Sequence, residues 1–226
     1  MSEPKTQEWA IEVHGTRRAK VFYFFVRTFI RHVLARWLRL RHRGTEHLAT
    51  PGPIILAPVH RSNLDAPLVA GVATRRIRAL GKESLFGSNP AAWINAALGA
   101  IPVRRGEADR EAMRAARAVI EAGEMMIVFP EGTRQSGPTI NGVFDGTAYL
   151  ANKTKAAIIP IGIAGTEAAM GSGTKGIKRA RCAIVVGEPM APPAGRMSRP
   201  ALAEFSAGVT AALQDVFDEA QALAES

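Results

Sequence analysis

Val59-His60-Arg61-Ser62-Asn63-Leu64-Asp65 stands between two stretches of opposite habit. Before it runs Ile54-Ile55-Leu56-Ala57, a short apolar run of the kind that forms a buried strand. After it, Ala66 to Ala73 reads as a helix. A strand, a tight turn and a helix make the first unit of an α/β fold. The turn also holds a histidine and a carboxylate five residues apart. Histidine is the side chain best suited to take a proton near neutral pH. A carboxylate on its second ring nitrogen would fix the tautomer and stabilise the imidazolium. The plainer reading has Asp65 capping the following helix, with His60 merely nearby.

Outward from this turn, the chain from Gly44 alternates between the two habits. Strands are expected at 54–58, 77–81, 101–105, 125–129, 157–163 and 181–187. Helices are expected at 65–74, 90–98, 108–122, 144–153 and 199–223. Pro90 suits a first helical turn and Gly123 a helix end. The pattern predicts an α/β fold, a central mostly parallel or mixed sheet flanked by helices. The last helix carries Leu202, Phe205, Val209, Leu213, Val216 and Ala220 at helical spacing, a packing face. Gly165 to Gly176 is the most flexible-looking interior stretch. Its Gly171-Ser172-Gly173-Thr174-Lys175-Gly176 matches G-x-G-x-x-G, but it neither follows a strand directly nor opens a helix. It is therefore read as a surface loop rather than a dinucleotide site. Lys175, Lys178, Arg179 and Arg181 leave open a contact with an anionic donor or a membrane.

The 226 residues carry a formal net charge of +9, unevenly placed. Residues 1–43 hold ten Lys/Arg against three Asp/Glu, and the remainder 19 against 17. Two parts are expected: a basic amphipathic segment at 1–43 and one domain at 44–226. Residues 1–15 read as polar and loosely ordered, and Arg17 to Arg43 as one helix. Phe22, Val26, Phe29, Val33, Trp37 and Leu40 share a face of it, flanked by Phe25 and Ile30. Arginines at 27, 31, 36 and 39 interrupt any run of about 20 apolar residues, so a membrane span is disfavoured. An in-plane helix, aromatic side in the lipid and arginines at headgroups, is one reading. A helix packed on the domain core is the other, and one helix can do both along its length. The aromatics form an apolar stripe rather than alternating with basic residues on an exposed face, which argues against nucleic acid. Cys182 stands alone and the histidines are scattered, so neither an internal disulfide nor a metal site is expected.

Three further blocks follow the first. They are Gly99-Ala100-Ile101-Pro102-Val103-Arg104, Phe129-Pro130-Glu131-Gly132-Thr133-Arg134 and Ile158-Ile159-Pro160. In this order the four blocks resemble the glycerophospholipid acyltransferase family, closest in pattern to the bacterial-type 1-acylglycerol-3-phosphate (lysophosphatidate) acyltransferases. The resemblance runs from Gly44 to Pro189. Lys82-Glu83-Ser84-Leu85-Phe86 is similar to the family's lysine-x-x-leucine block. Many relatives have asparagine where Val59 stands, which leaves the acceptor in question.

The resemblance implies direct acyl transfer from an acyl thioester to a glycerophosphate-type hydroxyl, with acyl-CoA or acyl-carrier protein as co-substrate and no other cofactor. His60 would be the base and Asp65 its orienter. Arg134, Arg104 and Lys82 would hold the acceptor phosphate. Glu131, Gly132 and Thr133 would bind substrate, Gly132 by letting backbone approach the ligand, although Glu131 reads as easily as a structural ion-pair partner. A covalent intermediate on Ser62 or Cys182 is the competing mechanism; no Gly-x-Ser-x-Gly elbow is present. Glycerol-3-phosphate or another lysolipid is the alternative acceptor, and a non-catalytic peripheral lipid-binding protein the alternative of another class. The expected location is peripheral, on the cytoplasmic face of the cell membrane.

Overall fold

Ile54–Pro58 is buried along its whole length, as a strand with neighbours on both edges and helices on both faces must be. In the computed structural model, which describes residues 6–103, 108–174, 176–195 and 197–226, it is the middle strand of the sheet. The strands are β1 (Arg41–Arg43), β2 (Ile54–Pro58), β3 (Ile77–Lys82), β4 (Ala100–Val103), β5 (Met125–Ile127), β6 (Ala157–Ala164) and β7 (Ala183–Val186). They lie in the order β1-β7-β6-β2-β5-β3-β4. Only β6 and β7 pair antiparallel; the other neighbours are parallel. The sheet is thus mixed and mostly parallel, as the alternation predicts.

The helices are α1 (Gln7–Gly15), α2 (Arg17–Phe29), α3 (Ala35–Trp37), α4 (Asp65–Val72), α5 (Asn89–Ala97), α6 (Ala108–Glu121), α7 (Gly146–Thr154), α8 (Thr166–Met170) and α9 (Arg199–Glu225). Alternate residues of β2 serve opposite faces of the sheet. Ile54 and Leu56 join a core with Leu68 of α4 and Leu213 and Phe217 of α9. Ile55 and Ala57 join a second core with Ala116 and Ile120 of α6 and Leu150 of α7. A third core holds α1 and α5 together through Ala10, Val13, Ala92 and Ala96. Gly162 lets α9 lie directly on β6, because a Cβ there would run into the Val216 carbonyl.

The N-terminal 43 residues differ from expectation. Residues 7–15 form α1 rather than a loose tail, held by a Thr6 cap and the burial of Ala10, Val13 and His14. The helix expected over Arg17 to Arg43 stops at Trp37, after a π-helical turn at Ile30–Leu34. Arg39 then adopts a left-handed φ of 45°, which turns the chain, and Arg41–Arg43 becomes the edge strand β1 on β7. The basic run reads as helix in sequence because an exposed edge strand needs no apolar alternation. The expected single stripe also divides. Phe22 packs on Trp93 and Leu40 on the core, whereas Phe25, Phe29, Val33 and Trp37 stay at least half exposed. Within the flexible-looking stretch, Thr166–Met170 is helix α8. Among the described residues no helix is long and apolar enough to cross a membrane.

Candidate active site

Parallel pairing decides where the blocks meet. β2, β5, β3 and β4 are neighbours pointing the same way, so the segments after them emerge along one edge of the sheet. The turn after β2 carries His60 and the turn after β5 carries Phe129 to Arg134. The end of β3 carries Lys82, which pairs in register with Val103 of β4. Arg104 lies outside the described residues.

Asp65 does not cap the helix it begins. It accepts from the residues before it: Arg61 N–H and Ser62 N–H both donate to Oδ2 at 2.7 Å. The same oxygen is 3.1 Å from His60 Nδ1, and Thr166 Oγ1 donates to Oδ1 at 2.7 Å. Four donors converge on one fully buried carboxylate. They place the imidazole proton on Nδ1 and leave Nε2 a free acceptor. The ring stacks on Phe129, centroids 3.8 Å apart, and 19% of the His60 side chain remains exposed.

A buried ion pair supports the turn from below. Arg61 Nη1 donates to both carboxylate oxygens of Glu131 at 2.8 Å, and its Nε and Nη2 donate to the Gly137 and Thr139 carbonyls. Glu131 Oε2 also accepts from His60 N–H at 2.9 Å, and Gln135 N–H donates to the His60 carbonyl. Glu131 therefore faces inward and braces the histidine's backbone, which differs from the expected contact with substrate. Gly132 differs as well. Its φ of 69° needs glycine, but the space a Cβ would take is filled by the Phe144 ring rather than left open for a ligand. Thr133 is exposed and, like Glu131 and Gly132, lies outside the lining of the cavity described next.

His60 opens into a cavity of about 750 Å³. Lys82 and Arg134 reach the same cavity, and neither side chain makes a hydrogen bond or ion pair with another described residue. The other lining is largely apolar, with Val26, Ile30, Ile77, Leu80, Leu98 and Ile127. Helix α2 thus supplies one wall. Val59 turns away into the core, so its difference from the family pattern does not face the cavity.

The alternative nucleophiles are poorly placed. Ser62 is buried, and its hydroxyl donates to the Met170 carbonyl at 2.6 Å. Burial, with the charge of Asp65 adding to it, pushes the Cys182 thiol up to about 12. Among the described residues no group of His, Cys, Asp and Glu could hold a metal ion.

A family model described as acyltransferase matches residues 39–164, more than half of the chain. The chain belongs to the acyltransferase family. All four blocks lie within the match, and the members it resembles have related names. A chloroplastic 1-acyl-sn-glycerol-3-phosphate acyltransferase of Arabidopsis thaliana is 23% identical over 163 residues, 71% of this chain and 46% of its own. The 1-acyl-sn-glycerol-3-phosphate acyltransferase of Bacillus subtilis is 26% identical over 149 residues, 64% of this chain and 70% of its own. The chain spans about half the length of the plant relatives it matches. The crystal structure of a 1-acyl-sn-glycerophosphate acyltransferase of Thermotoga maritima superposes with a TM-score of 0.72 at 23% identity, covering 92% of this chain and 85% of that one. The fold is shared with that acyltransferase.

Sequence reasoning missed three parts of this family member's site. Thr166 lies 101 residues from Asp65, and no sequence signal joins them. Arg61 sits inside the quoted turn, and nothing local in the sequence pairs it with Glu131 of the third block. Phe129 was quoted in its block without a role, although an aromatic residue beside a strand end is a natural platform for an imidazole.

Proposed function

We propose that this chain transfers an acyl group from a thioester, acyl-CoA or acyl-carrier protein, to the free hydroxyl of a 1-acylglycerol-3-phosphate, forming phosphatidate. One observation carries the reading: His60, oriented by Asp65, opens into the same cavity as two cations, Lys82 and Arg134, whose side chains have no partner among the described residues. A pure binder needs the cations but not an oriented base. The names of the relatives support the choice of acceptor.

In this reaction His60 Nε2 takes the hydroxyl proton as the oxygen attacks the thioester carbonyl. The new C–O bond forms, the C–S bond breaks, and the proton passes from His60 to the departing thiolate. Asp65 keeps the imidazole in the correct tautomer and faces its charge in the transition state. Lys82 and Arg134 hold the acceptor phosphate as fixed charges, and Arg104, following the strand residue paired with Lys82, is a third candidate. Glu131 is a positioning residue acting through the His60 backbone and Arg61. The apolar lining accommodates an acyl chain. The chemistry calls for no resident cofactor.

Segment 1–43 seats the enzyme on the membrane. Exposed Phe25, Phe29, Val33 and Trp37 enter the lipid, while Val26 and Ile30 of the same helix line the cavity. The expected attachment is peripheral, on the cytoplasmic face. An acceptor panel tests the assignment: purified protein with acyl-CoA is offered 1-acylglycerol-3-phosphate, glycerol-3-phosphate and lysophosphatidylcholine in parallel. Phosphatidate as the dominant product supports the assignment. Equal use of lysophosphatidylcholine removes the phosphomonoester from the reading, and acylation of glycerol-3-phosphate alone changes the acceptor.

A further inference from the structure

A second cavity, of about 790 Å³, lies on the far side of α4 from the first. Ala66, Pro67 and Ala70 of that helix line the catalytic cavity, whereas Leu68, Gly71 and Val72 line this one. Ile30 lies in the wall between them and packs so closely on α4 that a Cβ on Gly71 would come within 2.8 Å of its Cγ2.

The second cavity is ringed by basic side chains. Arg31 and Arg36 come from the end of the helix, Arg39 from the turn that follows it, His42 from β1, and Arg179 from the segment before β7. No aspartate or glutamate is among its described lining residues. Arg31 is already committed: its Nε and Nη2 donate to the Gly71 and Ala73 carbonyls, at 2.9 and 3.3 Å. Arg179 lies over the Trp37 ring, its Cζ 5.8 Å from the centroid. The side chains of Arg36, Arg39 and His42 make no hydrogen bond or ion pair with another described residue. Like charges gathered without a counter-charge repel one another unless an anion joins them.

The backbone points the same way. The only π-helical turn among the described residues, Ile30–Leu34, sets the register of Arg36 and Arg39. Arg39 then takes a left-handed φ of 45°. A side chain there carries a strain that glycine would not. Backbone strain of this kind clusters at binding positions.

We propose that this cavity binds the phosphate of an anionic glycerophospholipid at a site separate from the catalytic one. The charge identifies a phosphate. The lipid is identified by the company the arginines keep: Ile30, Leu40, Leu68 and Val72 line the same space, and the exposed Phe29, Val33 and Trp37 run beside it on the same helix. Phosphate at the rim and acyl chain along the apolar side match one amphipathic molecule, which free phosphate does not.

The test is calorimetric titration of the full chain with dihexanoyl phosphatidylglycerol below its critical micelle concentration, beside inorganic phosphate and coenzyme A. One saturable lipid site is expected. Arg36→Ala/Arg39→Gly/Arg179→Ala should weaken it at least tenfold. Arg17→Ala/Arg18→Ala/Lys20→Ala, which removes the same charge from the exposed start of α2, should leave it within twofold. Arg39→Gly alone relieves the strained φ, so it should melt no lower than wild type and still bind several-fold more weakly. Equal weakening in both triple variants would reduce the effect to net charge and overturn the site. Binding of inorganic phosphate or coenzyme A as tight as the lipid would overturn the lipid assignment. Absence of saturable lipid binding, or undiminished binding in Arg39→Gly, would also overturn the proposal.

Discussion

Three consecutive side chains of the turn after β2 face three ways, and the candidate chemistry depends on it. His60 faces the cavity, Arg61 goes under the turn to Glu131, and Ser62 is tied to the Met170 carbonyl. The Arg61–Glu131 pair is almost fully buried, with 2% of each side chain exposed. Removing one partner of such a pair costs about 3–5 kcal/mol, because the other charge stays buried and unpaired. Arg61→Ala should therefore lower the unfolding free energy by several kcal/mol in denaturant titration. Arg61→Met/Glu131→Met should recover much of that stability yet remain catalytically impaired, since the His60 N–H loses its acceptor. Recovery of full activity in the double variant would show that the pair does not position the histidine. The motif residues were legible in sequence, but their directions were not. A glutamate in a loop reads equally as ligand or brace until Arg61, 70 residues away, is seen against it.

Helix α2 shows what one element can carry. Its inward side packs on α5 and lines the cavity that holds His60, and its outward side leaves Phe25 65% and Phe29 56% exposed. Serine at both positions should reduce partition onto phosphatidylcholine–phosphatidylglycerol vesicles at least tenfold, because burying each ring in lipid contributes about 2 kcal/mol. The melting temperature should barely move. A melting loss with unchanged partition would assign these rings to the fold. Sequence periodicity found the apolar residues but merged the two sides, because a wide stripe with aromatics on both flanks looks like one face.

Helix α1 was missed because its buried surface is small, mostly alanine, valine and one histidine. His14 is 1% exposed, its Nδ1 is 3.1 Å from the Ala97 carbonyl of α5, and its Nε2 has no partner among the described residues. Burial first, then the nearby Arg78 and Arg76, lowers its pKa from 6.5 to about 4. The unfolded chain therefore takes up a proton on His14 before the folded chain does. This stabilisation is complete above about pH 6.5 and fades as pH falls from 6.5 toward 4, by up to about 3 kcal/mol. His14→Leu should be less stable than wild type near pH 7.5 but lose less stability between pH 7.5 and pH 5. Parallel losses in urea titrations would show that His14 does not drive the acid limb.

At the scale of the whole molecule, the fold class follows from short buried runs alternating with helices, and six of the seven described strands fall where the runs predict them. Strand order is another matter. β5 enters between β2 and β3, and that insertion brings the first and third blocks side by side. Nothing local in the sequence encodes it. The cavity is likewise a property of the assembly, since α2, α4, β3, β5 and the end of α5 all contribute walls. Of the large apolar side chains near it, Leu98 lines it, whereas Trp93 packs on Phe22 and Met125 is in the core. Leu98→Ala should shift donor preference toward longer chains. About 0.8 kcal/mol per newly buried methylene corresponds to roughly a fourfold gain in kcat/KM for each carbon that fits. An unchanged chain-length profile would place the acyl chain elsewhere.

The central claim is that His60, oriented by Asp65, is the base of an acyl transfer onto 1-acylglycerol-3-phosphate. The measurement is phosphatidate formation from acyl-CoA and that acceptor in detergent micelles, comparing wild type with a folded His60→Ala protein. Wild type should form phosphatidate, and the variant should be slower by a factor of at least about 10³, in the range expected for losing a general base. Equal rates in the two proteins would contradict the account.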